Sequence, residues 1–132
     1  MKFAYQRSLE GIFYPIIELR VGHQDDYLKI FALIDSGAII SIFKQEIADI
    51  LGIKIESGKE VMMRGVAGRI QGYIHNVKVK IAEKDFVIPV VFSKEYLVSF
   101  NLLGRDAFFE QFKITFDEKN KYMAYNIVTD HG

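Results

Sequence analysis

The chain has no cysteine in its 132 residues. A disulfide scaffold, a cysteine nucleophile and a thiolate metal site are therefore excluded, the core has to hold itself together by packing, and the chain can fold in either redox compartment. Excess charge is missing too: 17 Lys and Arg balance 17 Asp and Glu, while 50% of the residues are hydrophobic and 14% aromatic. This composition fits neither a disordered chain nor a polyanion binder, so no nucleic-acid partner is expected. The longest nearly apolar run, Phe86 to Phe92, contains Pro89 and falls far short of the ~20 residues that cross a bilayer. The N-terminal segment carries Lys2, Arg7 and Glu10 without an apolar h-region or a small-residue cleavage site. No membrane partner is expected, and a cytoplasmic address is the default. Proline occurs only at Pro15 and Pro89, and nothing resembles a linker, a charge block or a low-complexity segment. Residues 1–132 therefore read as one domain, long enough to bury a core.

Most common catalytic devices are absent as well. The histidines His23, His75 and His131 are scattered and form no H-E-x-x-H pair, so neither a metal nor any other cofactor is expected. Gly65, Gly68 and Gly72 make neither a G-x-G-x-x-G nor a G-x-x-x-x-G-K pattern, and no serine sits in a G-x-S-x-G elbow. Nucleotide binding and serine hydrolysis lose their usual signatures.

What is present is mainly strand pattern. Ile17, Leu19 and Val21 alternate with Glu18 and Arg20; Val77, Val79 and Ile81 with Lys78 and Lys80; Phe112, Ile114 and Phe116 with Lys113 and Thr115. Each predicts a half-buried strand. Ile30 to Ile34 and Phe86 to Phe92 are continuous apolar runs, expected as strands buried on both faces, with Pro89 pushing the second towards an edge or bulge. Phe43, Ile47, Ile50 and Leu51 fall at i, i+4, i+7 and i+8 and predict one helix, with Ser41 as a candidate cap and Gly52 at C′. A shorter helical turn is expected from Arg105 to Gln111. The sum is a mostly β chain with one clear helix and a short C-terminal one, closer to a closed or partly closed barrel than to an alternating βαβ protein.

One segment calls for a chemical explanation. Asp35-Ser36-Gly37-Ala38 directly follows the apolar run and is continued by Ile39 and Ile40. An isolated Asp-Ser-Gly is ordinarily a turn, with Asp accepting local backbone N–H groups and Gly taking φ > 0. An ordinary surface turn, however, is polar on both sides, and delivering a carboxylate from a buried strand costs desolvation unless the group is hydrogen-bonded or used. The apolar frame also argues against an exposed, phosphorylation-dependent degradation signal.

Leu33 to Ala38 resembles the active-site signature of the retropepsin-like aspartic proteases, two apolar residues followed by Asp-Thr/Ser-Gly-Ala. Leu102-Leu103-Gly104-Arg105-Asp106 resembles that family's second element, two apolar residues and Gly-Arg-Asn/Asp. Between them, Met62 to Ile70 is similar to its glycine-rich flap hairpin. The resemblance spans roughly Tyr14 to Asp117. It implies a mostly β, single-domain retropepsin-like acid protease barrel with a short C-terminal helix. The implied activity is that of an aspartic-type endopeptidase, a hydrolase acting on a peptide or protein substrate.

Peptide hydrolysis without metal or covalent intermediate needs one group to take a proton from water while another protonates or polarises the carbonyl, and two adjacent carboxyls sharing one proton can do both, as in the aspartic protease dyad. Only Asp35 has an apolar frame; Asp25, Asp26, Asp49, Asp85, Asp106, Asp117 and Asp130 stand in charged or turn-like contexts, or behind the Gly-Arg of the second element. The expectation is a homodimer in which Asp35 faces its symmetry copy. By the same resemblance Ser36 braces the two loops, Gly37 lets the substrate backbone approach and Ala38 continues the cleft wall. Arg64, Gly65, Val66, Ala67 and Gly68 form the substrate-binding flap; Leu102, Leu103 and Gly104 pack, and Arg105 is a structural charge. The sequence departs from the pattern at Ile39, where retroviral members often carry an acid paired with the arginine of the second element, at Ala67, where many flaps have glycine, and at Ser36, where threonine is commoner. Tyr122 to Val128 extends beyond the family-like core. The alternatives are a retropepsin-like dimerisation or peptide-binding module without hydrolytic activity, and an unrelated small β-barrel with a turn at Asp35.

Overall fold

Ile17, Leu19 and Val21 are buried while Glu18 and Arg20 are exposed, the period of two that a strand with one face on a core produces. The structure, a computed structural model, describes residues 1–23, 26–65 and 68–128. Twelve strands are present in it: β1 (Lys2–Ala4), β2 (Gln6–Arg7), β3 (Phe13–Tyr14), β4 (Ile16–His23), β5 (Asp26–Ile34), β6 (Ser41–Phe43), β7 (Lys59–Gly65), β8 (Gly68–Ile81), β9 (Lys84–Phe92), β10 (Asn101–Leu103), β11 (Phe112–Asp117) and β12 (Tyr122–Ile127). Helix α1 (Gln45–Leu51) follows β6, and α2 (Phe108–Gln111) precedes β11. The main sheet runs β4-β5-β10-β6-β9-β8-β7, and an additional β4–β8 pairing closes its first six strands into a barrel, leaving β7 as the outer arm of a hairpin. Closure removes the free edges that an open sheet of these strands would expose.

The core fills the barrel and extends under α1 and α2. Ile30, Ala32 and Ile34 of β5, Val77, Val79 and Ile81 of β8, and Ile88, Val90 and Phe92 of β9 all belong to it. The two continuous apolar runs are not buried on both faces as expected. Phe31 is 49% exposed and Leu33 only half-buried, and in β9 Val87 is exposed, with burial on both faces confined to Val90, Val91 and Phe92. A barrel strand has one inner face, and the second face is covered only where α1 and neighbouring loops lie over it. Pro89 precedes the stretch where β9 pairs with β6, which begins at Ser41↔Val90, so it lies where β8 alone is beside it. That is an edge position, as its missing N–H requires.

The helix differs from its expectation at its start. Ser41 and Phe43 belong to β6, Lys44 stands at the N-cap without a side-chain cap bond, and Ile50 is 67% exposed, so the buried face is Ile47, Ala48 and Leu51. Gly52 ends the helix at φ 74°, the left-handed conformation expected there. The second helix also begins later than Arg105. Ala107 (φ 64°, ψ −40°) forms a tight turn in which Phe108 N–H bonds Asp106 O at 2.8 Å, while the backbone N–H groups of Arg105 and Asp106, which a helix would leave free, bond Ala38 O and Ile39 O.

Beyond α2, β11 and β12 form a hairpin, and β1 adds to β12 in the register Phe3↔Met123. This small sheet carries the segment beyond the family-like core. It is joined to the barrel through Phe112, whose ring lies 5.5 Å from Phe108, 5.2 Å from Tyr125 and 5.9 Å from Phe86. Phe112→Ala should lower stability by about 3–5 kcal/mol, read as a lower urea midpoint with an unchanged slope at fixed protein concentration.

Candidate active site

Strand β10 sits between β5 and β6, parallel to β5 (Asn101↔Ala32, Leu103↔Ile34) and antiparallel to β6 (Leu102↔Ile42). Because β5 and β6 are consecutive in the chain, the loop joining them, residues 35–40, has to cross the end of β10. Four hydrogen bonds seat it there: Asp35 N–H to Leu103 O at 2.9 Å, Arg105 N–H to Ala38 O at 2.9 Å, Asp106 N–H to Ile39 O at 2.7 Å and Gly104 N–H to Ser41 Oγ at 3.0 Å. At Gly104 a Cβ would stand 2.6 Å from Ile40 C, 2.7 Å from Ile40 O and 3.0 Å from Ala38 O. Those are backbone atoms that cannot turn aside, so the crossing requires glycine. One residue before the crossing strand's Leu102, the Asn101 side chain donates to Phe31 O at 2.9 Å and accepts from Lys44 N–H at 2.8 Å, tying β10 to both neighbours.

Within the loop Asp35 is half-buried, Ser36 and Gly37 are exposed and Ala38 is half-buried. Asp35 Oδ1 accepts the Gly37 N–H at 2.9 Å, the local Asx-type bond expected of a plain turn, which here also fixes the carboxylate's direction. Gly37 does not take a positive φ; a Cβ there would instead press on Asp35 Oδ1 at 3.2 Å. Ile39, which stands where retroviral members often carry an acid, is 67% exposed. Arg105 is exposed, and its tie to the loop runs through its backbone N–H; the ion pairs among the described residues, Lys29–Glu18, Lys94–Glu56 and Lys121–Glu118, do not include it. Leu103 and Gly104 are buried and Leu102 half-buried, while Asp106 is exposed.

Burial first, and then the charge of Asp35, push the Tyr96 phenol up to about 12. The residues between β9 and β10 that carry it are also attached to the β7–β8 hairpin. Gln71 N–H donates to Glu95 Oε2 at 2.7 Å, the Gln71 side-chain amide bonds Glu60, Ser93 Oγ donates to Gln71 O, and Glu95 N–H donates to Ser93 Oγ at 3.1 Å. Beyond Gln71 the hairpin continues through Arg64↔Arg69 to Gly65↔Gly68. Val66 and Ala67 lie outside the described residues. Arg64 is exposed.

No three His, Asp or Glu side chains converge to hold a metal among the described residues, and the His75 ring nitrogen Nε2 is engaged with Ile55 O at 2.7 Å. No helix among them is long and apolar enough to cross a membrane.

The family model for aspartyl proteases matches residues 13–117, which include the crossing loop, the hairpin and the Gly104 element. The chain belongs to the aspartyl protease family. No curated protein sequence matches it. Among solved structures it is similar to the EIAV protease complexed with the inhibitor HBY-793, with a TM-score of 0.56 and 17% identity over 76% of this chain and 88% of that one. At that identity the likeness is one of fold, and the retropepsin-like β-barrel expected from the sequence is the fold observed.

Three residues of the site, Asn101, Tyr96 and Gln71, carry roles that the sequence pattern does not announce, and Ser41, expected as a helix cap, binds Gly104 instead. Ser41 and Asn101 do leave a signal, a polar residue inside an apolar run (Ile40-Ser41-Ile42, Phe100-Asn101-Leu102), the mark of a buried group with a specific partner. Ser41→Ala leaves the Gly104 N–H unsatisfied and should cost about 1–3 kcal/mol in chemical denaturation. Tyr125, like Tyr96, is pushed up to about 12, by burial first and then by the charge of Glu18. Raised above the ordinary tyrosine value of 10.0, both phenols favour the fold while neutral, so their contribution is full below 10.0 and lost as pH rises through about 12. Burial first, and then Glu118, raises the Tyr5 phenol as well, so in spectrophotometric titration three of the seven tyrosines should ionise late, and stability should fall as they do; Tyr96→Phe should remove one late phenol.

Proposed function

We propose that this chain is a homodimeric aspartic endopeptidase that hydrolyses peptide bonds of an extended polypeptide through a water activated between Asp35 and the partner's Asp35. The observation that carries this reading is the seating of Asp35: a half-buried carboxylate whose Oδ1 is held by Gly37 N–H, on a loop pinned across the end of β10, with exposed Ser36 and Gly37 beside it. Family membership supports the reaction type. Two such loops related by a two-fold axis bring both carboxylates to that axis, and two close carboxyls hold one proton between them because they cannot both ionise cheaply. The ionised one takes a proton from water as its oxygen attacks the scissile carbonyl carbon, and the protonated one gives its proton to the carbonyl oxygen. Collapse of the tetrahedral diol then returns a proton to the leaving nitrogen.

In this reading Ser36 braces the paired loops, Gly37 leaves room at the carboxylate, and Ala38 continues the cleft wall. The β7–β8 hairpin is the flap, to which Arg64, Gly65, Val66, Ala67 and Gly68 are assigned as substrate-binding residues, with strand-like backbone pairing available to a bound peptide. Leu102, Leu103 and Gly104 are the packed floor, while Arg105 and Asp106 bind the loop through their backbones. Residues 1–132 act as one domain in a cytoplasmic setting, without cofactor.

Asp35→Asn is nearly isosteric, so it should keep fold and dimer while kcat falls on the order of a thousandfold, measured by mass spectrometry of products from a mixed peptide library. Wild-type-like cleavage by Asp35→Asn would end the dyad assignment, and wild-type binding of peptides without any cleavage would mark a recognition module. Refolding equal amounts of the two chains together should leave about a quarter of the dimers with two carboxyls, so activity per wild-type chain should fall to about half. No loss on mixing would place the second catalytic group within one chain.

A further inference from the structure

The residues between β9 and β10 are held at both ends. At the β9 end Ser93 and Glu95 bind Gln71 of the hairpin, and Tyr96 N–H closes a turn onto Ser93 O at 3.3 Å. At the β10 end the Tyr96 hydroxyl donates to Phe100 O at 2.7 Å. That carbonyl is a fixed point. The Phe100 ring packs on Tyr14 at 4.9 Å, and the next residue, Asn101, is bonded to β5 on one side and to Lys44 on the other. Between the two ends, Leu97 and Val98 are 90% and 51% exposed. One side-chain hydroxyl thus closes the segment against the clamped strand that lies under the Asp35 loop, and Tyr14, on which the Phe100 ring packs, precedes Pro15, whose carbonyl accepts the N–H of Ile34, the residue before Asp35.

We propose that Tyr96 is a positioning residue that, through its hydroxyl bond to Phe100 O, fixes residues 96–100 as a wall of the Asp35 site and so governs how tightly substrate is held. The inference rests on the reading of Asp35 as the catalytic group. The hydroxyl points at a backbone carbonyl and not at the carboxylate, so it takes no part in proton transfer, and its loss acts on binding. The phenol, raised to about 12, remains a donor throughout the range in which a peptidase works.

Tyr96→Phe removes the hydroxyl and keeps the ring, so the fold is retained. On a peptide that the wild type cleaves, drawn from a random library, KM should rise about three- to tenfold, as loss of one hydrogen bond implies, with kcat within about twofold of wild type. In an Asp35→Asn background the dissociation constant for the same peptide, now uncut, should rise by the same factor. Amides of Leu97 to Phe100 should exchange hydrogen faster while those of β5 and β10 do not change. Unchanged KM and dissociation constant would overturn the proposal even if the melting temperature drops, because the hydroxyl would then serve stability alone. A fall in kcat at unchanged KM would overturn it equally. A wild type that neither cuts nor binds any peptide would bring down the reading of Asp35 and this proposal with it, an outcome distinct from a Tyr96→Phe protein that behaves as wild type.

Discussion

The structure depends on one topological constraint, a strand threaded beneath the loop that connects its two neighbours. With β10 between β5 and β6, the chain from Ile34 to Ser41 can only pass over Leu103 and Gly104. Everything local to Asp35 follows from making that crossing tight. Glycine is needed at 104 because loop backbone occupies the place of a Cβ. Ser41 is needed because the Gly104 N–H, at the end of its strand and buried, is satisfied by the Ser41 hydroxyl. Arg105 and Asp106 give their N–H groups to the loop, and the positive φ of Ala107 breaks the chain's path so that α2 starts only at Phe108.

Such a crossing holds a carboxylate better than a surface turn does. A turn closed only by its own residues drifts with its flanks, whereas this loop is bonded to a strand inside the barrel, and functional geometry tolerates errors of only about 0.5 Å. The hairpin is attached differently. Its contact with the segment leading to β10 runs through Gln71, Glu95 and Ser93, and the pairs Met63↔Ile70, Arg64↔Arg69 and Gly65↔Gly68 lie beyond that clasp. Floor and hairpin therefore differ in kind: one is tied by the barrel's own strands, the other by a few polar side chains at its root. In the proposed reading this gives a fixed carboxylate beneath a cover anchored at one end.

The barrel was legible from the sequence because alternation is a local property. Ile17-Leu19-Val21 and Val77-Val79-Ile81 needed no knowledge of their partners to be recognised as one-sided strands, and Gly52 ended its helix where a left-handed residue was wanted. The Asp35 loop was legible for a different reason, since a carboxylate framed by apolar residues is anomalous wherever it occurs. The errors came where a partner lies far away in sequence. Ser41 looks like a helix cap because the amphipathic pattern begins just after it, yet its partner is Gly104, 63 residues distant. Phe31 looks like core because its neighbours are apolar, yet a barrel strand turns every second side chain outward. Local pattern specifies which residues form strands; which strand is threaded beneath which loop is decided by long-range pairing that no window of residues contains.

The same distinction explains why polar groups stand at the heart of this region. Replacing Asn101 or Ser41 by an apolar residue of similar size would suit the surrounding core if burial were all that mattered. But β10 has only three residues, too few for its backbone bonds alone to exclude a slip in register. A one-residue slip would exchange the buried Leu103 for the half-buried Leu102 and lift Gly104 from under Ile40. Asn101 can satisfy both Phe31 O and Lys44 N–H, and Ser41 can meet Gly104 N–H, in only one register. Any other leaves buried donors and acceptors unpaired, at about 1–3 kcal/mol each. The buried polar side chains thus select a single alignment of a very short strand, and that alignment is what places the Asp35 loop.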